Sequence, residues 1–158
     1  MNRQEFISFV EESQEALRRF LTALCCGDSQ LADDIAQEAF VKAWLSCDTF
    51  RGDARFATWV RRIALNTFLN HQRSVRALAS IDEGVGCEAP ERADDGFEYQ
   101  ALYTALGQIP PRERSTILLY YMEGYSTQEI AEIEGISQAS VRQHITRGRL
   151  HLRNLLND

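Results

Sequence analysis

A chain of 158 residues with 44% hydrophobic side chains suits one ordinary domain or two small ones, and is too apolar to stay disordered. Its net charge of −6 argues against a uniformly phosphate-neutralising surface. No run of about 18 apolar residues occurs, and the start MNRQEFISFVEESQEALRRF is acidic and amphipathic, so neither a membrane span nor a secretory leader is expected and a soluble cytoplasmic protein follows.

The charge is unevenly spread. Residues 1–50 carry four basic and nine acidic groups (−5), 51–78 six and one (+5), 79–99 one and seven (−6), 100–136 two and five (−3), and 137–158 four and one (+3). A chain with two separate basic patches is expected to bind DNA poorly alone and well when a partner presents both patches to the duplex.

From Phe6 to Leu24, apolar residues at helical spacing predict an amphipathic helix, broken at Gly27-Asp28. A second helix is predicted from Ser29 to Leu45, with Leu31, Ile35, Ala39, Ala43, Phe40 and Trp44 inward and Asp33, Asp34, Gln37, Glu38 and Lys42 outward. After the turn CDTFRGDARF a third helix runs from about Phe56 to Arg73. There Val60, Ile63, Ala64, Thr67 and Phe68 suit a core, while Thr58, Trp59, Arg62, Asn66 and Arg73 form another face. Aromatic rings beside arginines can hold unstacked bases against a phosphate track; a half-buried Trp beside solvated arginines fits the spacing equally well.

Residues 79–96, with Pro90, three glycines and little apolar periodicity, read as a linker. About twenty extended residues reach roughly 70 Å, or about two turns of B-DNA. Two further helices follow, FEYQALYTALGQI and PRERSTILLYYMEGY, the latter roofing the last pair with Ile117, Leu118, Tyr121 and Met122. In that pair, Ser126 caps a short helix carrying Ile130, Ala131 and Ile133, Gly135 stops it, and Ser137 caps a longer one with Val141, Ile145, Leu152 and Leu155 inward. The opposite face of the longer helix holds Arg142, Gln143, Thr146, Arg147 and Arg149, types suited to base edges and phosphates in a major groove.

Cys25, Cys26, Cys47 and Cys87 form no C-x-x-C pair and no zinc spacing with His71, His144 or His151, so buried reduced thiols are expected. No metal, cofactor or catalytic constellation is expected, and an enzyme is disfavoured.

With both basic patches located, the chain resembles the bacterial RNA polymerase sigma factors of the extracytoplasmic-function (ECF) type. LADDIAQEAFVKAW is similar to the helix that docks on the polymerase clamp, FRGDARFATWVRRIALNTFLNHQRS to the segment that melts the minus-ten element, and LGQIPPRERSTILLYYMEGYSTQEIAEIEGISQASVRQHITRGRLHL to the minus-thirty-five reader. The resemblance implies an all-α fold of two small helical domains, a region-two-like bundle over 1–76 and a region-four-like helix-turn-helix domain over 98–158, joined by an acidic flexible linker over 77–97. It assigns polymerase binding to Asp34, Gln37 and Glu38, minus-ten DNA to Arg55, Thr58, Trp59, Arg62 and Asn66, and minus-thirty-five DNA to Gln138, Arg142, Gln143, Thr146 and Arg147. Expected partners are the clamp and flap of core RNA polymerase, promoter DNA that is double-stranded upstream and single-stranded at the minus-ten element, and an anti-sigma factor. Glu134 departs from the family pattern, which has an apolar residue there, and Gly148 replaces an alanine at an expected cost of about 0.5–1 kcal/mol. The alternative is a stand-alone helix-turn-helix regulator, which the charge map does not favour.

Overall fold

The computed structural model describes residues 1–50, 55–78 and 99–157. Among the described residues seven α-helices carry the fold: α1 Arg3–Leu24, α2 Ser29–Leu45, α3 Phe56–Leu78, α4 Gln100–Gly107, α5 Pro111–Ile117, α6 Thr127–Glu134 and α7 Gln138–Leu156. No strand occurs among the described residues. The expected linker, apart from its first two residues, and the turn residues 51–54 lie outside them.

Local sequence sets most helix ends. Asn2 and Glu5 close a capping box on α1, Asp28 caps α2, Ser126 and Glu129 close a second box on α6, and Ser137 accepts the Ser140 amide at the start of α7. Gly135 takes a left-handed conformation (φ +69°) that ends α6 and turns the chain into α7. Helix α3 continues five residues beyond the expected Arg73, because no helix breaker occurs before Leu78.

The first three helices wrap one core of Leu17, Phe20, Leu21, Val60 and Phe68 with the small face of α2, Ala32, Ala36, Ala39 and Ala43. In the last four, α5 and α6 pack on α7 around Leu106, Leu119, Ile130, Ile133 and Val141. The two groups also touch: α3 meets α6, and α1 meets α5 and the turn after it. That turn departs from the expectation. Residues Leu118–Met122 form one π-helical turn, with the Glu123 amide bonded to the Leu118 carbonyl. The extra residue per turn rotates the face. Tyr121 and Met122 are thereby exposed, and Leu119 and Tyr125 join the core beside Ile117 and Leu118.

Gly148 lies where α7 crosses α5, and a Cβ there would stand 2.6 Å from Ile117 Cγ1. Close approach, which the helix propensity of alanine cannot offset, explains this residue. Gly148→Ala is expected to lower stability by about 1–3 kcal/mol through overpacking; a thermal melt shows it as a lower Tm, whereas a higher Tm would mean that propensity dominates.

Candidate nucleic-acid interface

Three surfaces gather the residues singled out in the sequence. On α2, burying Ala32, Ile35, Ala36 and Ala39 turns Asp34, Gln37 and Glu38 outward, on adjacent turns of one exposed face. Glu38 is 3.5 Å from Lys42, whereas Asp33 turns toward α1 and meets Arg18 at 2.6 Å. Beside the acidic groups lies an apolar patch that sequence reasoning missed. Val41 is 58% and Leu45 77% exposed, and Trp44, expected inward, is 41% exposed, with one side packed on Phe6 at 5.1 Å. Small residues carry the buried face of α2, so the large side chains stand at its edge. A surface pairing carboxylates with apolar bulk suits a basic, partly apolar partner.

Arg55, just before α3, and Trp59, Arg62 and Asn66 on it recur at helical spacing and share one stripe. Arg55, Arg62 and Asn66 are exposed, and Trp59 is half-buried against Phe50 (4.9 Å) and Phe56 (5.8 Å). Thr58 stands apart from them. It is buried near Tyr125, whose hydroxyl pKa burial raises.

Arg61, which spacing alone could not mark, is the most buried charge of this helix at 2% exposure. Its Nη2 donates to both carboxylate oxygens of Glu123 at 3.1 Å, and its guanidinium lies 5.6 Å from the Tyr125 ring centre. Arg55 donates to Glu129 at 3.0 Å, and Arg62 reaches the Gly135 turn. Basic α3 therefore faces acidic groups of the last four helices.

On α7, Gln138, Arg142, Gln143, Thr146 and Arg147 are all exposed on the face opposite Val141 and Ile145. The Gln138 side chain accepts from Thr127 at 3.3 Å, and Thr146 donates to the Arg142 carbonyl at 3.0 Å. Arg149 extends the row, its guanidinium donating to the Tyr121 hydroxyl at 2.9 Å. Exposed arginines with amide and hydroxyl neighbours on one helix face can contact base edges and phosphates together. No group of metal-ligating side chains occurs among the described residues.

Glu134 ends α6 and turns its carboxylate inward, accepting from Thr116 at 2.7 Å and Ser115 at 3.4 Å. Its Oε2 is buried without a hydrogen-bond partner among the described residues. Burial pushes the Glu134 pKa up to about 7, against the two hydroxyl donors and Arg112. Burial also lowers His144, which lies near Thr116. The acidic residue in an apolar position thus becomes a polar tie between α5 and α6.

Known proteins share this organisation. Residues 9–77 match the family model for sigma-70 region 2, and residues 99–152 match that for sigma-70, region 4. The RNA polymerase sigma-H factor of Pseudomonas aeruginosa is 37% identical over 137 residues, covering 77% of this chain and 71% of its own. The ECF RNA polymerase sigma factor SigW of Bacillus subtilis is 33% identical over 147 residues, covering 84% and 79%. Among solved structures, the sigma factor RpoE in complex with the anti-sigma factor NepR from Bartonella quintana superposes with a TM-score of 0.82 at 26% identity, over 98% of both chains. CnrH in complex with the cytosolic domain of CnrY gives 0.74 at 27% identity, over 99% of this chain and 90% of that one.

The raised Glu134 pKa sets a pH dependence. An acid that holds its proton more tightly when folded makes the native state bind more protons than the unfolded chain between the ordinary value, 4.5, and about 7. Stability therefore falls as pH rises through that window. Glu134→Gln, which cannot ionise, is expected to raise the Tm relative to wild type more at pH 8 than at pH 5; melts at both values check this, and an equal difference would contradict it.

Proposed function

The chain belongs to the sigma-70 family, as a sigma factor of the ECF class, and from that premise we propose how its surfaces share the work of directing core RNA polymerase to promoters. It is not an enzyme, since sigma factors act by binding. The observation that carries the division of labour is the separation of three exposed side-chain sets onto three helices, α2, α3 and α7. We assign residues 1–76 to the region-two unit, 77–97 to the acidic linker and 98–158 to the region-four unit.

Asp34, Gln37 and Glu38 dock on the basic clamp of polymerase, with Val41, Trp44 and Leu45 supplying apolar area at the edge of the same surface. Arg55, Trp59, Arg62 and Asn66 hold the minus-ten strand once it leaves the duplex, while buried Thr58 supports the helix behind them. The ring stacks on a base and the guanidinium groups track phosphates. Strand separation then requires no reacting group, because binding of the single strand offsets the few kcal/mol of unpairing per base. Gln138, Arg142, Gln143, Thr146 and Arg147 enter the major groove of the minus-thirty-five element, and the region-four unit meets the polymerase flap.

The chain works in the cytoplasm, where polymerase is; no helix among the described residues is long and apolar enough to cross a membrane. An anti-sigma factor is a second protein partner. The whole-chain likeness to RpoE bound to NepR and to CnrH bound to CnrY supports it.

The function is tested by mapping transcript starts made on genomic DNA by core polymerase with and without this protein; new starts sharing two upstream elements are expected, and none would contradict the reading. On such a promoter Arg142→Ala is expected to relax one upstream base pair at a cost of about 1–3 kcal/mol there, read from transcription of single-base variants. Trp59→Ala is expected to leave closed-complex formation intact and reduce permanganate reactivity of the minus-ten thymines, while wild-type reactivity would remove Trp59 from the melting face.

A further inference from the structure

The π-helical turn Leu118–Met122, which follows α5 directly, carries Tyr121 to the surface beside α7. There its hydroxyl accepts from the Arg149 guanidinium at 2.9 Å, and the Tyr120 ring meets the Tyr121 ring edge-on at 4.9 Å and 88°. A π-turn is a rare insertion in a helix and is found frequently where function needs it. Resting on the reading of α7 as the minus-thirty-five helix, we propose that Tyr121 is a positioning residue for DNA, its hydroxyl holding Arg149 at the rim of the major groove as a clamp on one backbone phosphate.

The place of Arg149 along α7 separates it from the base readers. Arg142, Thr146 and Arg149 are spaced by four and then three residues and share one exposed stripe. At about 1.5 Å of rise per residue, Arg149 stands roughly 10 Å beyond Arg142 along the axis. A recognition helix reads bases with its N-terminal residues, and a groove about 12 Å wide leaves the later turns level with the sugar-phosphate backbone. Arg149 forms no ion pair with a carboxylate among the described residues, so its charge is not offset. The phenol occupies one of its N–H donors and leaves the others for phosphate oxygens. A long arginine side chain loses rotamer freedom when it binds. A neutral hydroxyl takes up part of that loss in the free protein without neutralising the cation, as a carboxylate would. Gly148, the neighbouring residue, brings α7 close against Ile117 at the end of α5, and so sets the distance at which the π-turn faces Arg149.

The test uses full-length protein with core polymerase and a labelled duplex that carries the minus-thirty-five element of a mapped promoter and ends upstream of the minus-ten element. Affinity is measured across a salt series, and phosphate contacts are mapped by ethylation interference. Arg149→Ala is expected to weaken binding about tenfold, equally on every single-base variant of the element, to lower the slope of log K against log salt by about one, and to abolish interference at one phosphate. Tyr121→Phe, which keeps the ring, is expected to weaken binding about threefold in the wild-type background and to change nothing in Arg149→Ala protein. A hydroxyl that served packing alone would not show that non-additivity. An unchanged salt slope and interference pattern in Arg149→Ala, a loss that depends on the base pair, or an equal Tyr121→Phe loss in both backgrounds would overturn the proposal. Weaker polymerase capture by either variant in a pull-down would overturn it too, because the pair would then face protein. Arg142→Ala on the same duplex separates the two readings. Weaker binding there with indifferent Tyr121 and Arg149 variants overturns the clamp alone, and no binding of the element by the wild-type complex overturns the reading of α7 on which it rests.

Discussion

A buried cation seats the two halves of this protein on each other. Arg114 on α5 is 1% exposed, and a charge so placed costs several kcal/mol unless its donors are met. They are met by carbonyls. Nε donates to Leu106 at 2.8 Å and Nη2 to Ile109 at 3.3 Å, which fixes the turn between α4 and α5. Nη1 donates to Leu24 at 2.8 Å, across the interface, at the last residue of α1. The end of a helix leaves its carbonyls unpaired and partially negative, so a guanidinium there satisfies both sides at once. The Tyr103 ring closes on Gly27 beside it, within 3.0 Å of where a Cβ would stand. Once α4 and α5 are seated on α1, the turn after α5 brings Glu123 and Tyr125 over α3, and Arg61 follows.

That chain of contacts connects packing to promoter use. A sigma factor must hold DNA at two separate elements, yet here the acidic start of the helix-turn-helix lies on the basic helix proposed for the nearer one. The recognition face of α7 remains exposed in the same arrangement. The Trp59, Arg62 and Asn66 stripe of α3 also stays open beside the contact, Arg62 and Asn66 exposed and Trp59 half-buried.

Much of the fold was legible in the sequence because it is written in local chemistry. The caps Ser126 and Ser137, the stop at Gly135, the span of α2 and the outward set of α7 depend only on neighbours within a turn or two. What was hidden depends on distant partners. Trp44 was expected inward because it is large and apolar, and it stands half-exposed because the alanines of α2 fill the interface. Tyr121 and Met122 changed faces when a π-turn added one residue, which no 3.6-residue count anticipates. Arg61 is indistinguishable from Arg62 in the sequence, yet one is buried on Glu123 and the other exposed. Glu134 and Gly148, both noted as departures from the family pattern, are explained only by the hydroxyls of Thr116 and Ser115 and by the Ile117 side chain.

The two helical halves rest on each other, and the buried Arg114 guanidinium on the Leu24 carbonyl holds them there. The most direct measurement is energy transfer between dyes carried on unnatural amino acids at Asn70 on α3 and Glu132 on α6, recorded for the otherwise unchanged protein and for the same protein carrying Arg114→Met. Efficient transfer that falls when Arg114 is replaced is the predicted result; the same transfer in both proteins would contradict the tie.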